Sequence, residues 1–414
     1  MKTLIKLTCL LLGLLLFSPM VIAQEEDFFT IRGTVKNAKN KKKIEYANVI
    51  AVGTQIGTIS NENGEFSLKI PYDAAVREIE FSSIGFYNAR FTIAREDIDG
   101  KEFLMTPSDV SLKEVEVHSW KYPVDLVKAA VDKVEDNYSL YPTLLTTFYR
   151  ETAQKGKKYI NVSEAVVNIY KSSYSRDSHS DRVQLLKGRR LVSPNPADTL
   201  SVRLLGGPNM AIYADLVKNP DMLLGDEVLN WYQYRMGEGA TIDDRLQYVI
   251  YFEPQVNVEA PLYKGTFYID KENLAFTRIE FDLDMSDKDK VTRMILREKP
   301  KGLRFNPTEV LYIVSYKQQN GLTRINYLRN EIRFKCDWKR KLFATNYTVI
   351  SEMVVTDVFD DKVERIKGRD SFSARKSLSD EVKNYYDPDF WGAYNIIEPT
   401  ESLESAIGKL KREE

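Results

Sequence analysis

The chain has 414 residues, 43% of them apolar and 29% charged, with a formal net charge of −1. This is an ordinary globular composition, long enough for about two or three domains. The near-balance of charge leaves no general electrostatic case for nucleic acid as a partner.

Met1–Ala23 has the pattern of an export signal. Lys2 and Lys6 give a positive start, Leu7–Phe17 an apolar core, and Val21-Ile22-Ala23 precedes an expected cut at Gln24. The apolar stretch is shorter than the roughly 20 residues a membrane span needs, so cleavage is expected rather than anchoring. Cys9 lies inside the apolar core, which argues against a lipid-modified cysteine at the mature N-terminus. Cleavage would leave Cys336 alone, so an intrachain disulfide is not expected and stability must come from apolar cores. No later run is comparably apolar, and the mature chain is expected to have no transmembrane helix.

From Ile31 to Phe86, short alternating runs are separated by turns bearing Gly, Asn and Pro. Ile31–Val35, Ala47–Val52 and Phe66–Ile70 are expected strands of a small antiparallel β-sandwich. Asn61-Glu62-Asn63-Gly64 is a tight turn with positive φ at the glycine, and Gly85 marks a bulge or a close backbone approach. Ile31-x-Gly33-Thr34-Val35, Tyr46-Ala47-Asn48-Val49, Gly53-Thr54-x-x-Gly57-Thr58, Ser60-Asn61-x-x-Gly64-x-Phe66-x-Leu68 and Ser83-Ile84-Gly85-Phe86 follow in order. This succession strongly resembles the carboxypeptidase regulatory-like domain, a transthyretin-like sandwich of surface and envelope proteins. The resemblance implies a Gram-negative envelope, of the Bacteroidetes type in particular. It is to the accessory sandwich and not to the zinc peptidase.

Leu112–Val117 is a last short β-like run, and a domain boundary is expected near His118–Lys121, dividing residues 24–119 from 120–414. Tyr122–Tyr138 then reads as a helix, with Leu126, Val127, Ala130, Val131 and Val134 on one face and Pro123 in the first turn. Strands return at Thr146–Glu151, Tyr159–Val162 and Ala165–Tyr170, with a hairpin tip at Lys155–Lys158. Ser172 to Leu200 is polar and basic. It is expected as a solvated loop, the other reading being a site for an anionic glycan or lipid headgroup. A short helix is expected within Met210–Leu224, followed by an aromatic stretch around Trp231.

Leu246–Phe359 reads as a meander of long strands at Tyr248–Phe252, Gly265–Asp270, Arg278–Asp284, Thr292–Arg297, Val310–Lys317, Ile325–Lys335 and Asn346–Phe359. Gln319-Asn320-Gly321 is a hairpin signal. The length of the strands suits a larger antiparallel, curved sheet with a few flanking helices. In pattern it is similar to the half-barrels of periplasmic lipoprotein carriers. Ile279, Phe281 and Leu283 should share the apolar face, with Arg278, Glu280 and Asp282 opposite. Two covers for that face are available in the chain, the helix Tyr122–Tyr138 and a C-terminal helix capped by Thr400, whose Leu403, Ala406, Ile407 and Leu410 share a side.

Chemistry is sparse. His118 and His179 have no companion ligand, and no nucleophile elbow, phosphate loop or dinucleotide fingerprint occurs. Asp282, Asp284, Asp287 and Asp289 fail as an EF-hand loop, since Asp287 and Arg293 stand where Gly and Glu are required. They are expected at a charged hairpin tip. No catalytic residue, metal site or cofactor is identified. The mainly β chain is read as a noncatalytic exported protein, periplasmic or outer-membrane-associated, with an adaptor sandwich and a sheet domain that binds a protein partner or an apolar ligand. The alternative is a glycan-binding or glycan-processing envelope protein. Trp231, Tyr385, Phe390 and Trp391 are the candidate contacts to a ligand or partner.

Overall fold

The computed structural model describes residues 27–108, 120–198, 200, 202–204, 206–338, 343–373, 376–382 and 390–412. The leader Met1–Ala23, the expected run Leu112–Val117, His118 and Tyr385 lie outside the described residues.

The N-terminal sandwich is built from β1 (Phe28–Asn37), β2 (Asn48–Ala51), β3 (Gly57–Ile59), β4 (Glu65–Pro71), β5 (Glu78–Ser82), β6 (Ala89–Thr92) and β7 (Ile98–Met105). One sheet runs β4-β1-β7 and the other β3-β2-β5-β6. All pairings are antiparallel except β1 with β7. Alternation sends Phe29, Ile31, Phe66, Leu68 and Ile70 into a shared core with Ile79, Phe81 and Phe103. The Phe81 and Phe103 rings sit 4.9 Å apart. The Asn61–Gly64 turn forms as its residues dictate: Gly64 has φ +70°, and Asn61 Oδ1 accepts from the N–H groups of Asn63 and Glu65. Gly85 has no atom near an added Cβ. Its glycine is required by a φ of +77° and not by close approach.

The large sheet uses β8 (Thr143–Lys155), β9 (Lys158–Lys171), β10 (Arg182–Val192), β12 (Tyr232–Met236), β13 (Ala240–Ile242), β14 (Arg245–Pro254), β15 (Tyr263–Asp270), β16 (Phe276–Leu283), β18 (Leu303–Gln319), β19 (Leu322–Trp338) and β20 (Thr345–Phe359); β11 (Arg203–Leu204) and β17 (Leu296–Glu298) pair separately. Its 11 strands follow the order β10-β9-β8-β20-β19-β18-β16-β15-β14-β12, with β13 pairing β14 off this path. The C-terminal meander therefore closes onto the earlier β8-β9-β10 meander through an antiparallel β20–β8 pairing. Asn320 (φ 51°) and Gly321 (φ 80°) form the expected tight turn between β18 and β19.

The two faces bury different cores. Ile279, Phe281 and Leu283 lie in the main core, as alternation requires, and Arg278, Glu280 and Asp282 face the other way. That main core lies on the inner face of the sheet and is covered by α1 (Pro123–Asp132) through Leu126, Val127 and Ala130, and by the segment carrying Val202, Ile212, Leu216 and Leu224. The outer face carries Phe148, Val166, Tyr327 and Val354, and packs against Ile59 of the sandwich and Phe390, Trp391 and Ile397 of the tail.

Several local expectations are corrected. The stretch Thr292–Arg297 is not a strand of the large sheet: α2 (Lys288–Ile295) forms because Asp287 caps it, accepting from Asp289 and Lys290 N–H, while Val291 and Ile295 bury one turn apart, and only Leu296 and Arg297 enter the short strand β17. The acidic run around Asp287 is thus a helix start. Within Ser172–Leu200, Arg182–Val192 is the edge strand β10 instead of loop, and its basic residues find partners there, Arg189 pairing with Glu164 and Arg190 donating to Ser379 O. The helix expected over Tyr122–Tyr138 is interrupted at Lys133. The C-terminal helix α3 (Glu401–Arg412) is present, with Leu403 N–H donating to Thr400 Oγ1. It packs through Leu403, Ile407 and Leu410 on Val162 and Leu191, away from the inner face. Of the two expected covers, only α1 reaches that face.

Sandwich and sheet are tied by named contacts. Arg329 donates to Glu62 of the sandwich at 2.7 Å and to Glu352 of β20 at 2.8 Å. Tyr46, held at φ 54°, stacks on Tyr327 with centroids 5.6 Å apart.

Candidate functional site

Strand register builds a cavity of ≈ 410 Å³ on the inner face. Across β8, β20 and β19, Glu151 pairs with Ser351, which pairs with Asn330; two residues along, Ala153 pairs with Val349, which pairs with Ile332. Side chains two apart share a face, so the floor is one polar row beside one apolar row. Val202 and Leu204, with Gly206 and Gly207, close it from above, and Arg203, Arg297, Glu298 and Lys376 also contribute to its lining. The volume lies in the range of small-molecule sites, about 300–1,000 Å³.

Glu151 is the group whose chemistry the cavity alters. Tyr149 O–H donates to its Oε1 at 2.7 Å and Gly207 N–H donates to the same oxygen at 2.8 Å. Burial pushes its carboxyl pKa above the usual range, and those two donors only partly oppose the shift. The shift widens the pH range over which the acid is neutral, and in that form the carboxyl can donate as well as accept. Gly206 stands directly opposite: an added Cβ would meet only Glu151 Oε1, at 3.3 Å. The glycine keeps open the space beside the carboxyl.

A second group of buried charges has a different character. Lys171 Nζ lies 2.7 Å from Asp215 Oδ2 and 3.1 Å from Asp181 Oδ2, and Lys218 Nζ lies 3.1 Å from Asp181 Oδ1. Tyr174 and Tyr316 hydroxyls donate to Asp215 at 2.9 and 3.0 Å. Burial works against charge on Lys171, but Asp215 and Asp181 outweigh it and hold its pKa above the usual value. Burial and the neighbouring Lys171 lower that of Lys218. The charges are matched and the four side chains sealed, so the cluster ties the end of β9 to the segment around Asp215 and presents no reacting surface.

The candidate contacts named from sequence do not meet in one cleft. Trp231 packs partly buried against the inner core, whereas Phe390 and Trp391 are buried in the outer core. The Trp391 ring lies 5.4 Å from Phe148, with the Arg189 guanidinium 5.1 Å from it. Arg189 in turn pairs with buried Glu164, which also binds Arg150. Tyr385 lies outside the described residues. His179 is exposed beside Asp177, and burial pushes the Cys336 thiol up to about 11, which keeps it protonated. Among the described residues, no group of three or more His, Cys, Asp or Glu could hold a metal ion. Glu151 was not found from sequence because it stands in an unremarkable strand; only the register reveals the row it joins. The Gly206-Gly207-Pro208 run signals a turn, but not what the turn covers.

Residues 31–117 match the family model of the CarboxypepD_reg-like domain, so the N-terminal sandwich is a domain of that kind. No curated protein matches the sequence. Among solved structures, the chain is similar to a DUF1329 family protein from Desulfovibrio piger, at 11% identity over 59% of this chain and 95% of that one, TM-score 0.25. It is similar also to a protein from Vibrio parahaemolyticus described as an outer membrane lipoprotein-sorting protein domain, at 10% identity over 60% and 94%, TM-score 0.25. Lipovitellin aligns at 11% identity over 60% of this chain and 28% of that one, TM-score 0.26. None superposes closely enough to bear on function.

Proposed function

We propose that this is a noncatalytic exported envelope protein whose large sheet holds one amphipathic, acyl-chain-bearing ligand, with the sandwich as its docking module. The observation that carries this reading is the cavity of ≈ 410 Å³ with adjoining polar and apolar rows on its floor. Apolar groups of a ligand would lie over Ala153, Val349 and Ile332, and its polar end would meet Glu151, Ser351 and Asn330. The leader pattern of Met1–Ala23 supports export, and no helix among the described residues is long and apolar enough to cross a membrane.

Fluorescence titration of the mature chain with cis-parinaric acid, competed by a monoacylglycerol, tests the reading. Saturable, displaceable binding is expected, and Gly206→Leu, which projects into the cavity, should abolish it without altering the near-UV circular dichroism. Absence of saturable binding, or binding unchanged in the variant, would overturn the proposal.

A further inference from the structure

A second cavity, of ≈ 590 Å³, opens where the sandwich meets the large sheet, and its chemistry is unlike that of the first. The β13–β14 hairpin tip reaches the sandwich there. Gly85 N–H donates to Thr241 O at 2.8 Å, and Asn88 N–H donates to Asp244 Oδ1 at 2.7 Å. At this tip two consecutive non-glycine residues, Asp243 and Asp244, are held at φ 51° and 59°. They are the two central residues of a tight hairpin loop between Ile242 and Arg245, a turn that requires positive φ at both positions and suits aspartate.

Polar atoms without a hydrogen-bond partner gather on residues lining this cavity. They include Asn88 Oδ1, Asp243 Oδ1, Lys317 Nζ and Thr323 Oγ1; Arg245 Nε, also without a hydrogen bond, has its ion-pair partner Asp270. Lys317 and Thr323 are 9% and 1% exposed, so these groups are withdrawn from bulk water. Buried polar groups are normally paired, and such a concentration calls for an occupant able to pair them. The lining's three cations are each matched by a carboxylate: Arg90 with Glu80 at 2.8 Å, Arg245 with Asp270 at 2.9 Å, and Lys317 with Asp243 at 3.7 Å; the fourth carboxylate, Asp244, is exposed at the rim and accepts from Asn88 N–H. What remains is a mixture of acceptors (Asn88 and Asp243), a donor (Lys317) and a hydroxyl that can do either (Thr323).

A charged ligand would need an excess of one sign. A ligand bearing several hydroxyls gives and accepts hydrogen bonds at the same atoms and meets the mixture without adding charge. We propose that the junction cavity binds a neutral polyhydroxylated molecule of the mono- or disaccharide class, held between Asn88 of the sandwich and Asp243, Lys317 and Thr323 of the sheet. This site is separate from the acyl cavity and does not depend on it. It would also make the sandwich part of a binding site, since neither domain supplies the full set of partners.

The test is isothermal titration of the full mature chain with maltose, galactose and N-acetylglucosamine, repeated with Asn88→Ala and Lys317→Met. Near-UV circular dichroism checks that each variant is folded. Saturable binding of at least one sugar is expected, weakened about tenfold or more by Asn88→Ala, with Lys317→Met as the second arm if it folds. No heat of binding with any of the three sugars would overturn the proposal. So would binding that Asn88→Ala leaves unchanged, or a sugar-soaked crystal showing only water in the cavity.

Discussion

Gly64 and Glu151 are single residues whose surroundings make opposite demands. At Gly64, φ is +70° and an added Cβ would lie 2.8 Å from the Val35 carbonyl oxygen, so conformation and space both exclude a side chain. Gly64→Val should destabilise the protein by about 1–3 kcal/mol in denaturant unfolding; an unchanged midpoint and slope would show that the turn relaxes freely. Glu151 stores its cost in ionisation. Because burial raises its folded-state pKa, the stability tied to the neutral acid is fully present below the unfolded value near 4.5 and is lost as pH rises through the folded value. Glu151→Gln has no such loss and keeps an oxygen for Tyr149 and Gly207 to bond. Its melting temperature relative to wild type should therefore rise as pH increases from 4.5, and a gap that stays constant with pH would count against the buried carboxyl.

Among the elements, α3 shows how far a periodic pattern leads. Leu403, Ile407 and Leu410 share a face, as their spacing implies, and Thr400 caps the start. Which sheet face they cover was not written in that spacing. Removing residues 400–414 should expose Val162 and Leu191, raise binding of an apolar dye and lower stability, while leaving parinaric acid affinity as it was. Loss of that affinity would place the helix at the cavity after all. The hairpins at Gly156 and Asn320-Gly321 were legible because positive φ has a residue signature. The strand β10 was not, because a charged edge strand and a solvated loop have the same composition. Helix α2 carried a helical signal that is short: Val291, Met294 and Ile295 stand at i, i+3 and i+4 within eight residues, and the Asp287 cap marks its start.

At the scale of the whole molecule, the sandwich and the strict alternation of Arg278–Asp284 could be read from the chain, since turn residues and period-two patterns are local properties. The pairing of β20 with β8 could not, because it joins residues about two hundred positions apart by geometry alone. Both cavities depend on long-range placement of this kind, which explains why the aromatic residues Trp231, Phe390 and Trp391 drew attention while Glu151 and Asn88 did not. We propose residues 24–119 and 120–414 as the two units, joined through Arg329, Glu62 and the stacked Tyr46 and Tyr327. On the inner face of the larger unit we propose an acyl-chain ligand. Native mass spectrometry of the mature protein, purified gently from envelope fractions, measures this most directly. One adduct of single-lipid mass is expected, yielding an acyl fragment on activation and missing from Gly206→Leu; a bare protein mass, or an adduct that survives in that variant, would refute an acyl ligand at this face.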